Sequence, residues 1–358
     1  MLHGAKPFVR PLVAGLLGLA LLLGGFATAQ EPDCGGYDKP IVFAELDWDS
    51  VQVLNHIARF VLEEGFGCAT DSIPGSTIPM YRGAARGDID VVMEVWLDNV
   101  PDFWGPAVAA GDVVQLDAVF DDAIQAFYVP RYMVEGDADR GIEATAPDLK
   151  SVYDLPQYAS LFRDPEQPDK GRFYNCIIGW RCEEINNVKL EVYGLTDYFT
   201  NFLPGTAVAL ATSMEGAYLR GEPWVGYYWS PTWVLGKLDM IRLEEPPYSD
   251  ACWDVLEANV DTPEKATEAC AYPASTAVIA LGKNYKDQAS DEIVAFLNAI
   301  DTPSALINKI LAHMQETDAS PAEAAMHFLE TEKDVWTGWL ANAGLDPVVT
   351  ERVLAALK

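Results

Sequence analysis

Apolar runs alternate with amphipathic stretches along the chain, and this alternation predicts its elements. Residues 39–46 form a short apolar run typical of a buried strand, whereas residues 50–65 place apolar side chains along one helical face and end at Gly65. A short helix ending near Gly87 and an apolar strand at residues 90–95 follow. Strands that alternate with helices in this way predict an α/β fold with a mostly parallel sheet.

A similar alternation runs through the second half of the chain. A helix near residues 213–220 leads into a strand at Trp224–Tyr228, after which Ser230 and Pro231 resemble an N-cap and a first helical residue. Residues 164–170, rich in proline and charge, predict a surface loop. The last predicted elements are a strand at 277–281 and helices near 291–300, 303–317 and 321–341, the last of them opening on a capping box.

The N-terminus has the layout of an export signal. Lys6 and Arg10 precede an apolar run at residues 12–26 and the small residues Ala27–Ala29, which suit a signal peptidase. The run is too short for a membrane span, which needs roughly 20 residues. We therefore expect residues 1–29 to be a signal peptide and the mature protein to be periplasmic. At ~100–200 residues per domain, the remaining length favours two domains.

The formal net charge of −30 at pH 7 is spread along the chain rather than gathered in a tail. It argues against nucleic acid as a partner, because binding phosphate groups needs basic patches. Two interpretations of the charge stay open. It provides either a solvated acidic surface suited to salty surroundings or a field that attracts cations.

All six cysteines lie beyond the predicted signal peptide, an even number that suits disulfides in an oxidising compartment. Six cysteines allow fifteen connectivities, so the sequence leaves their pairing open. Pairing in sequence order would close a short loop around Trp180. The pairs in that order are Cys34 with Cys68, Cys176 with Cys182, and Cys252 with Cys270.

Three tryptophans lie in segments suited to presenting a ring. Trp96 and Trp229 each follow a predicted strand, at the carboxyl end where open α/β sheets bind ligands, and Trp180 lies between two cysteines. Rings that converge from separate segments can enclose a methylated ammonium group, which has no hydrogen bond to donate and is held through π faces. Candidate supporting walls are Tyr132, Tyr227 and Tyr228. The tryptophans for which we prefer core packing are Trp224, Trp233, Trp253, Trp336 and Trp339.

Motifs of the common enzyme classes are missing from the sequence. It contains no Gly-x-Ser-x-Gly elbow, no His-Glu-x-x-His pair and no phosphate-binding loop. His56, His313 and His327 lie on predicted helices without the spacing of metal ligands. We therefore predict no catalytic residue, cofactor or metal site, and keep a secreted hydrolase and an adhesive protein as alternatives.

Four segments with recognisable motifs follow one another along the chain. They are Asp47–Ser50 followed by a helix and Glu64–Phe66, Gly87–Asp90 leading into Trp96–Asn99, Gly179–Glu183, and Tyr227–Val234. In this order they resemble the glycine betaine/proline betaine substrate-binding proteins of ABC importers, over essentially the whole mature chain. The resemblance implies a type II periplasmic binding protein, in which a hinge joins two α/β lobes around a ligand cleft. We place lobe 1 at residues 30–122 plus 270–358 and lobe 2 at residues 123–269.

The resemblance also implies roles for particular residues. Trp96, Trp180 and Trp229 would surround the trimethylammonium group, and backbone amides of Arg181 and Cys182 would hold the ligand carboxylate. Arg181 stands where glycine is usual, so its side chain either adds a carboxylate contact or faces solvent. Trp48 is either a fourth wall of the box or a packing residue at its rim. Acidic candidates for a polar ligand contact, each with a structural alternative, are Glu45, Glu94 and Glu183.

Partners follow from the same resemblance. A monomeric binding protein would capture its ligand by lobe closure and then dock on an inner-membrane permease whose cytoplasmic ATPase drives import. The sequence does not decide between glycine betaine, proline betaine, dimethylsulfoniopropionate, choline and trimethylamine N-oxide as the ligand. The choice depends on the polar end of the site, because a carboxylate needs amide donors and an N-oxide or hydroxyl needs one hydrogen-bond partner.

Overall fold

A computed structural model describes residues 37–358 together with Met1 and Cys34. Apart from Met1, the predicted signal peptide lies outside the described residues. Among the residues that the structure does describe, no helix has both the length and the apolar character needed to cross a membrane.

Strands and helices alternate along most of the described chain. The strands are β1 (Ile41–Glu45), β2 (Thr70–Pro74), β3 (Val91–Trp96), β4 (Val113–Pro130), β5 (Gly171–Tyr174), β6 (Phe199–Phe202), β7 (Gly226–Ser230), β8 (Met240–Arg242) and β9 (Ser275–Gly282). The α-helices are α1 (Asp49–Phe60), α2 (Thr77–Arg86), α3 (Trp104–Ala109), α4 (Arg131–Glu135), α5 (Leu155–Tyr158), α6 (Arg181–Val192), α7 (Ala207–Arg220), α8 (Trp233–Lys237), α9 (Asp250–Ala258), α10 (Asp291–Asn298), α11 (Ser304–Thr317), α12 (Pro321–Thr331), α13 (Lys333–Asn342) and α14 (Pro347–Ala356). Short 3₁₀ turns lie at Leu97–Asn99, Val152–Asp154, Ala159–Phe162 and Pro263–Lys265.

The sheet is mixed, so the prediction of a mostly parallel sheet is wrong. Its strand order is β2-β1-β3-β9-β4-β7-β5-β6, with β8 also on β4. Strands β1, β2 and β3 pair in parallel, as do β5, β6 and β7. Every pair that involves β4 or β9 is antiparallel. These two strands lie between the two parallel sets and run opposite to their neighbours, so no helical crossover joins them in parallel.

One long strand joins the two parts of the sheet. The residues of β4 from Val113 to Ala123 pair with β9, whereas those from Ile124 to Pro130 pair with β7 and β8. We call β1, β2, β3 and β9 the first strand group and β5, β6, β7 and β8 the second. The lobe boundaries at residues 122/123 and 269/270 remain predictions.

The first helix does not end at Gly65, contrary to prediction. The chain continues through a π-helical turn at Val61–Phe66 and stops at Gly67, whose φ of 76° is left-handed. Gly65 serves packing instead, because a Cβ there would lie 2.9 Å from Val349 Cγ1 and 3.0 Å from Val353 Cγ2. Its missing side chain lets α14 approach this turn closely.

Two other helix boundaries differ from the sequence prediction. Ser230 ends β7, and α8 begins at Trp233 after the N-cap Thr232, so Ser230 and Pro231 do not start a helix. The predicted helix at residues 321–341 is two helices, α12 and α13, separated at Glu332. The capping box predicted at its start is present between Ser320 and Glu323.

Three disulfides join the six cysteines in sequence order. They are Cys34–Cys68, Cys176–Cys182 and Cys252–Cys270. The second closes the short loop that contains Trp180. The five tryptophans expected to pack in the core, Trp224, Trp233, Trp253, Trp336 and Trp339, are all buried.

Candidate ligand-binding site

Four tryptophans line one small cavity between the two strand groups. Trp96 belongs to the first group and Trp229 to the second, whereas Trp48 and Trp180 precede helices. The cavity is lined by Trp48, Trp96, Trp180, Trp229, Thr77, Tyr81, Asn99, Gln125, Arg181, Cys182 and Tyr227. All six residues that the sequence analysis proposed for ligand contact are therefore brought together, although their roles remain proposals.

Each tryptophan lies at or near the end of an element. Trp48 is the N-cap of α1 and Trp180 is the N-cap of α6. Trp96 is the last residue of β3, and Trp229 is the last but one of β7, so both belong to strands rather than following them. Alternation along β7 puts Tyr227 on the same face as Trp229 and Tyr228 on the other, where it lines a neighbouring cavity.

The rings stand at steep angles to one another. Trp180 meets Trp48 with ring centroids 5.0 Å apart at 72°, and meets Trp229 at 5.2 Å and 74°. All four tryptophans are at most 6% exposed. Edge-to-face contacts of this kind fix neighbouring rings as walls in different planes. The arrangement therefore provides several π faces around one small space.

The indole N–H groups of three of these tryptophans are bonded to carboxylates. Trp48 Nε1 and Trp96 Nε1 donate to the same oxygen of Glu94, Oε2, at 2.7 and 3.1 Å. Trp180 Nε1 donates to Asp47 Oδ1 at 2.6 Å. Neither carboxylate lines the cavity. These bonds hold the rings in place.

Glu94 is completely buried on β3. Burial raises its pKa to about 7, although the hydrogen bonds from Trp48 and Trp96 favour the ionised form. The sequence left two roles open for Glu94, a polar ligand contact and a structural carboxylate. Its observed contacts are with the two rings.

A buried polar network lies beside the rings and centres on Gln125, which is opposite Trp229 in the β4–β7 pair. Tyr227 Oη and Asn99 Nδ2 donate to Gln125 Oε1 at 2.6 and 2.7 Å. Gln125 Nε2 donates in turn to Asp98, and to Ser275 Oγ at 3.0 Å. This network links the turn after β3 with β4, β7 and β9 at the cavity, and sequence reasoning missed it, since no motif marks Gln125.

The N-terminus of α6 forms a polar wall of the cavity. The N–H groups of Arg181 and Cys182 occupy the first two helical positions, where no intrahelical acceptor exists. Such a helix end favours an anionic group. The Arg181 side chain does not face solvent, because it is 4% exposed and donates to Asp102 at 3.0 Å and to Glu184 at 2.7 Å.

The remaining candidates lie elsewhere. Glu45 accepts a hydrogen bond from Ser72, and Glu183 accepts one from Asn187 at 2.6 Å. Tyr132 donates to the carbonyl of Ala217 at 3.3 Å and packs against Tyr218, so it supports α7 rather than the cavity. Within residues 37–358, no group of three or more His, Cys, Asp or Glu side chains is arranged to hold a metal ion.

The sequence of this chain is similar to one protein-family model and to known binding proteins. Residues 39–331 match the family model described as the substrate binding domain of ABC-type glycine betaine transport systems. The trimethylamine N-oxide-binding protein of Pelagibacter ubique (strain HTCC1062) is 23% identical over 233 residues, which are 65% of this chain and 72% of the relative. The glycine betaine-binding periplasmic protein OusX of Dickeya dadantii (strain 3937) is 25% identical over 272 residues, 74% of this chain and 77% of the relative.

A solved structure shares the fold. The glycine betaine/L-proline-binding protein ProX of Borrelia burgdorferi aligns with a TM-score of 0.67 at 15% identity, over 88% of this chain and 100% of that chain. The predicted fold class, a two-lobe α/β periplasmic binding protein of type II, is thereby confirmed. Because the family model covers most of the sequence, this chain belongs to the family of substrate-binding domains of ABC-type glycine betaine transport systems.

Proposed function

We propose that this chain is the periplasmic solute-binding component of an ABC importer and captures a methylated-ammonium osmolyte of the glycine betaine class. The observation that carries the proposal is the single cavity lined by Trp48, Trp96, Trp180 and Trp229. The two relatives are named for binding trimethylamine N-oxide and glycine betaine, which share a methylated nitrogen. Both are solute-binding proteins rather than enzymes.

We call Trp48, Trp96, Trp180 and Trp229 the tryptophan box, and this box recognises the methylated ammonium group of the ligand. A permanent cation over a desolvated aromatic face gains ~2 kcal/mol or more per good contact. Ordering the ligand and closing the lobes cost part of the free energy gained from three or four such contacts. The remainder supports a micromolar Kd, which corresponds to a binding free energy of about −8 kcal/mol. The box by itself selects for methyl groups and positive charge rather than for one osmolyte.

The N-terminus of α6 holds the polar end of the ligand. The free N–H groups of Arg181 and Cys182 suit a carboxylate. The Arg181 guanidinium is paired with Asp102 and Glu184, which offset its charge, so it contributes by fixing the helix end. These features favour glycine betaine over choline, which lacks a carboxylate.

Capture proceeds by closure of the two strand groups on the ligand. The loop at Cys176–Cys182 contacts segments that adjoin the strands of the first group. Trp180 is bonded to Asp47 after β1, Arg181 to Asp102 after β3, and the Gly179 carbonyl accepts from the Ile78 N–H of α2 at 3.5 Å. A ligand that bridges the groups stabilises this closed arrangement. The closed monomer then docks on an inner-membrane permease, and the ATPase of the transporter drives import.

The proposal is tested by titration calorimetry of the purified mature chain with glycine betaine, proline betaine, dimethylsulfoniopropionate, trimethylamine N-oxide and choline. We expect micromolar binding of glycine betaine and much weaker binding of choline, because choline cannot use the amides of α6. Equal or tighter binding of choline would refute the carboxylate site. If none of the five compounds bound, the proposed function would be refuted, and a secreted hydrolase would again be a candidate.

Gly179→Ala tests the closing contact. A Cβ at Gly179 would lie 2.7 Å from Ser76 Oγ, and its φ of 91° disfavours a side chain. We expect glycine betaine affinity to fall several-fold by calorimetry, with partial recovery when Ser76→Gly removes the obstructing hydroxyl. Gly141→Ala is the matched control, since its φ of 68° is also left-handed but no atom lies within 4 Å of its Cβ. Unchanged affinity in Gly179→Ala would contradict the contact.

A further inference from the structure

One buried carboxylate is shared by two walls of the tryptophan box. Trp48 comes from the start of α1 and Trp96 from the end of β3, yet both donate to Glu94 Oε2. The other oxygen, Oε1, is buried and has no hydrogen-bond partner. Glu94 therefore directs its hydrogen bonding to the two rings through one atom.

The position of this carboxylate matters for the faces of the rings. Cation–π attraction is electrostatic, and it grows where water is excluded. A negative charge at the N–H edge of an indole adds to the negative potential that a cation meets over the ring. The effective dielectric constant inside a protein is low, so this charge is only weakly screened. Trp48 and Trp96 both line the cavity, so a cation bound there lies one ring away from Glu94.

We propose that Glu94 is the positioning residue of the tryptophan box, orienting Trp48 and Trp96 and supplying the buried negative charge that favours a cationic head group. The inference rests on the proposed function and assigns the charge selectivity of that site to a residue that does not touch the ligand. It also predicts that ligand binding and ionisation of Glu94 are coupled.

The direction of the coupling follows from linkage. In the free protein the pKa of Glu94 is raised by burial to about 7, so near neutral pH a substantial fraction of the carboxyl is protonated. A bound cation favours the ionised form and lowers this pKa. Affinity therefore rises as pH rises towards 7, and binding at a pH between the bound and the free pKa values releases a fraction of a proton. A decrease in pKa by one unit corresponds to roughly tenfold in affinity.

Other titratable groups lie around Glu94 and have to be separated from it. Tyr81 on α2 donates to the Glu94 carbonyl at 3.1 Å, and burial raises the pKa of its hydroxyl far above neutrality. Burial raises the pKa of Asp49 at the start of α1. Asp98, two residues beyond Trp96, has its pKa raised to about 6 by burial. Asp98 is the group whose titration lies nearest to that of Glu94.

The test compares glycine betaine binding to the wild-type chain and to Glu94→Gln by calorimetry from pH 5.5 to 8.5, in two buffers of different ionisation enthalpy. Glutamine retains an oxygen that accepts both indole N–H groups, removes the charge, and puts an NH₂ group in place of the oxygen that has no partner. We expect wild-type affinity to increase roughly tenfold across this range with measurable proton release. In Glu94→Gln we expect the affinity to stay, at every pH, as weak as that of the wild-type chain at pH 5.5. The rise in affinity towards pH 7 should be lost.

Two control variants separate the effect of Glu94 from that of neighbouring carboxylates. Asp90→Asn alters a buried carboxylate at the start of the same strand, bonded to Tyr37 and Val42, and should keep the wild-type profile. Asp98→Asn should remove at most a step near pH 6. A wild-type profile in Glu94→Gln, with tight binding intact, would overturn the inference and leave the proposed function standing. Failure of the wild-type chain to bind any methylated amine would instead refute the function itself.

Discussion

Trp180→Ala is expected to weaken glycine betaine binding at least tenfold, because Trp180 is the ring that closes the box. It meets Trp48 and Trp229 edge-to-face and is bonded through its N–H to Asp47. Removing it loses one cation–π face, worth ~2 kcal/mol, and loosens the rings on either side. A loss of 1.4 kcal/mol already corresponds to tenfold in affinity. Calorimetric titration of the variant measures the effect.

Matched variants separate the ring from its hydrogen bond. Trp180→Phe keeps an aromatic face but leaves Asp47 without the indole donor, so we expect a smaller loss than in Trp180→Ala. Trp229→Ala removes a wall whose N–H is not bonded to a carboxylate, and should weaken binding to a similar extent as Trp180→Ala. Thermal unfolding checks that each variant is folded. Near-normal affinity in both alanine variants would remove the tryptophan box from the proposal.

Lys189→Met is expected to lower the free energy of unfolding by ~3–5 kcal/mol, because it leaves a carboxylate buried without its cation. Lys189 Nζ lies 2.6 Å from Glu245 Oε2, with 0% and 2% of the two side chains exposed. Burial lowers the pKa of Lys189, whereas Glu245 opposes the shift. The ammonium also lies over the rings of Phe127 and Tyr272. Urea unfolding with the disulfides intact measures the loss.

The control for this prediction is an ion pair at the surface. Lys237 and Glu215 are 2.9 Å apart with side chains 53% and 20% exposed, so Lys237→Met should cost no more than ~1 kcal/mol. Adding Glu245→Gln to Lys189→Met removes the stranded charge and retains an acceptor for Tyr193 Oη, which should restore part of the stability. Equal losses in Lys189→Met and Lys237→Met would contradict the assignment of a buried ion pair.

Sequence reasoning located the aromatic part of the site because its residues belong to local motifs. Trp96, Trp180 and Trp229 each occur within a short segment whose neighbours indicate a strand end or a loop, and these features survive folding. Trp48 lines the same cavity, although the sequence left a packing role open for it. The carboxylates Asp47 and Glu94 were near these motifs, but nothing local reveals that their partners are indole N–H groups.

The parts that sequence reasoning missed depend on contacts between distant residues. Strand β4 was not predicted, since Asp117, Asp121 and Asp122 interrupt its apolar pattern, and its pairing with β9 joins residues far apart in sequence. Gln125 was missed for the same reason. The role of Gly65 was also misjudged, because a glycine in a helical pattern indicates a stop unless its packing partners are known.

The contact between Gly65 and α14 has a consequence for the order of folding. The turn at Val61–Phe66 buries Val61, Leu62 and Phe66, and the helix packed on it begins only at Pro347. Contacts so distant in sequence form late, because a long loop must close before they contribute. This helical turn therefore stays partly uncovered until the segment that begins at Pro347 has been synthesised, and a chain truncated before Pro347 would expose this apolar surface to aggregation.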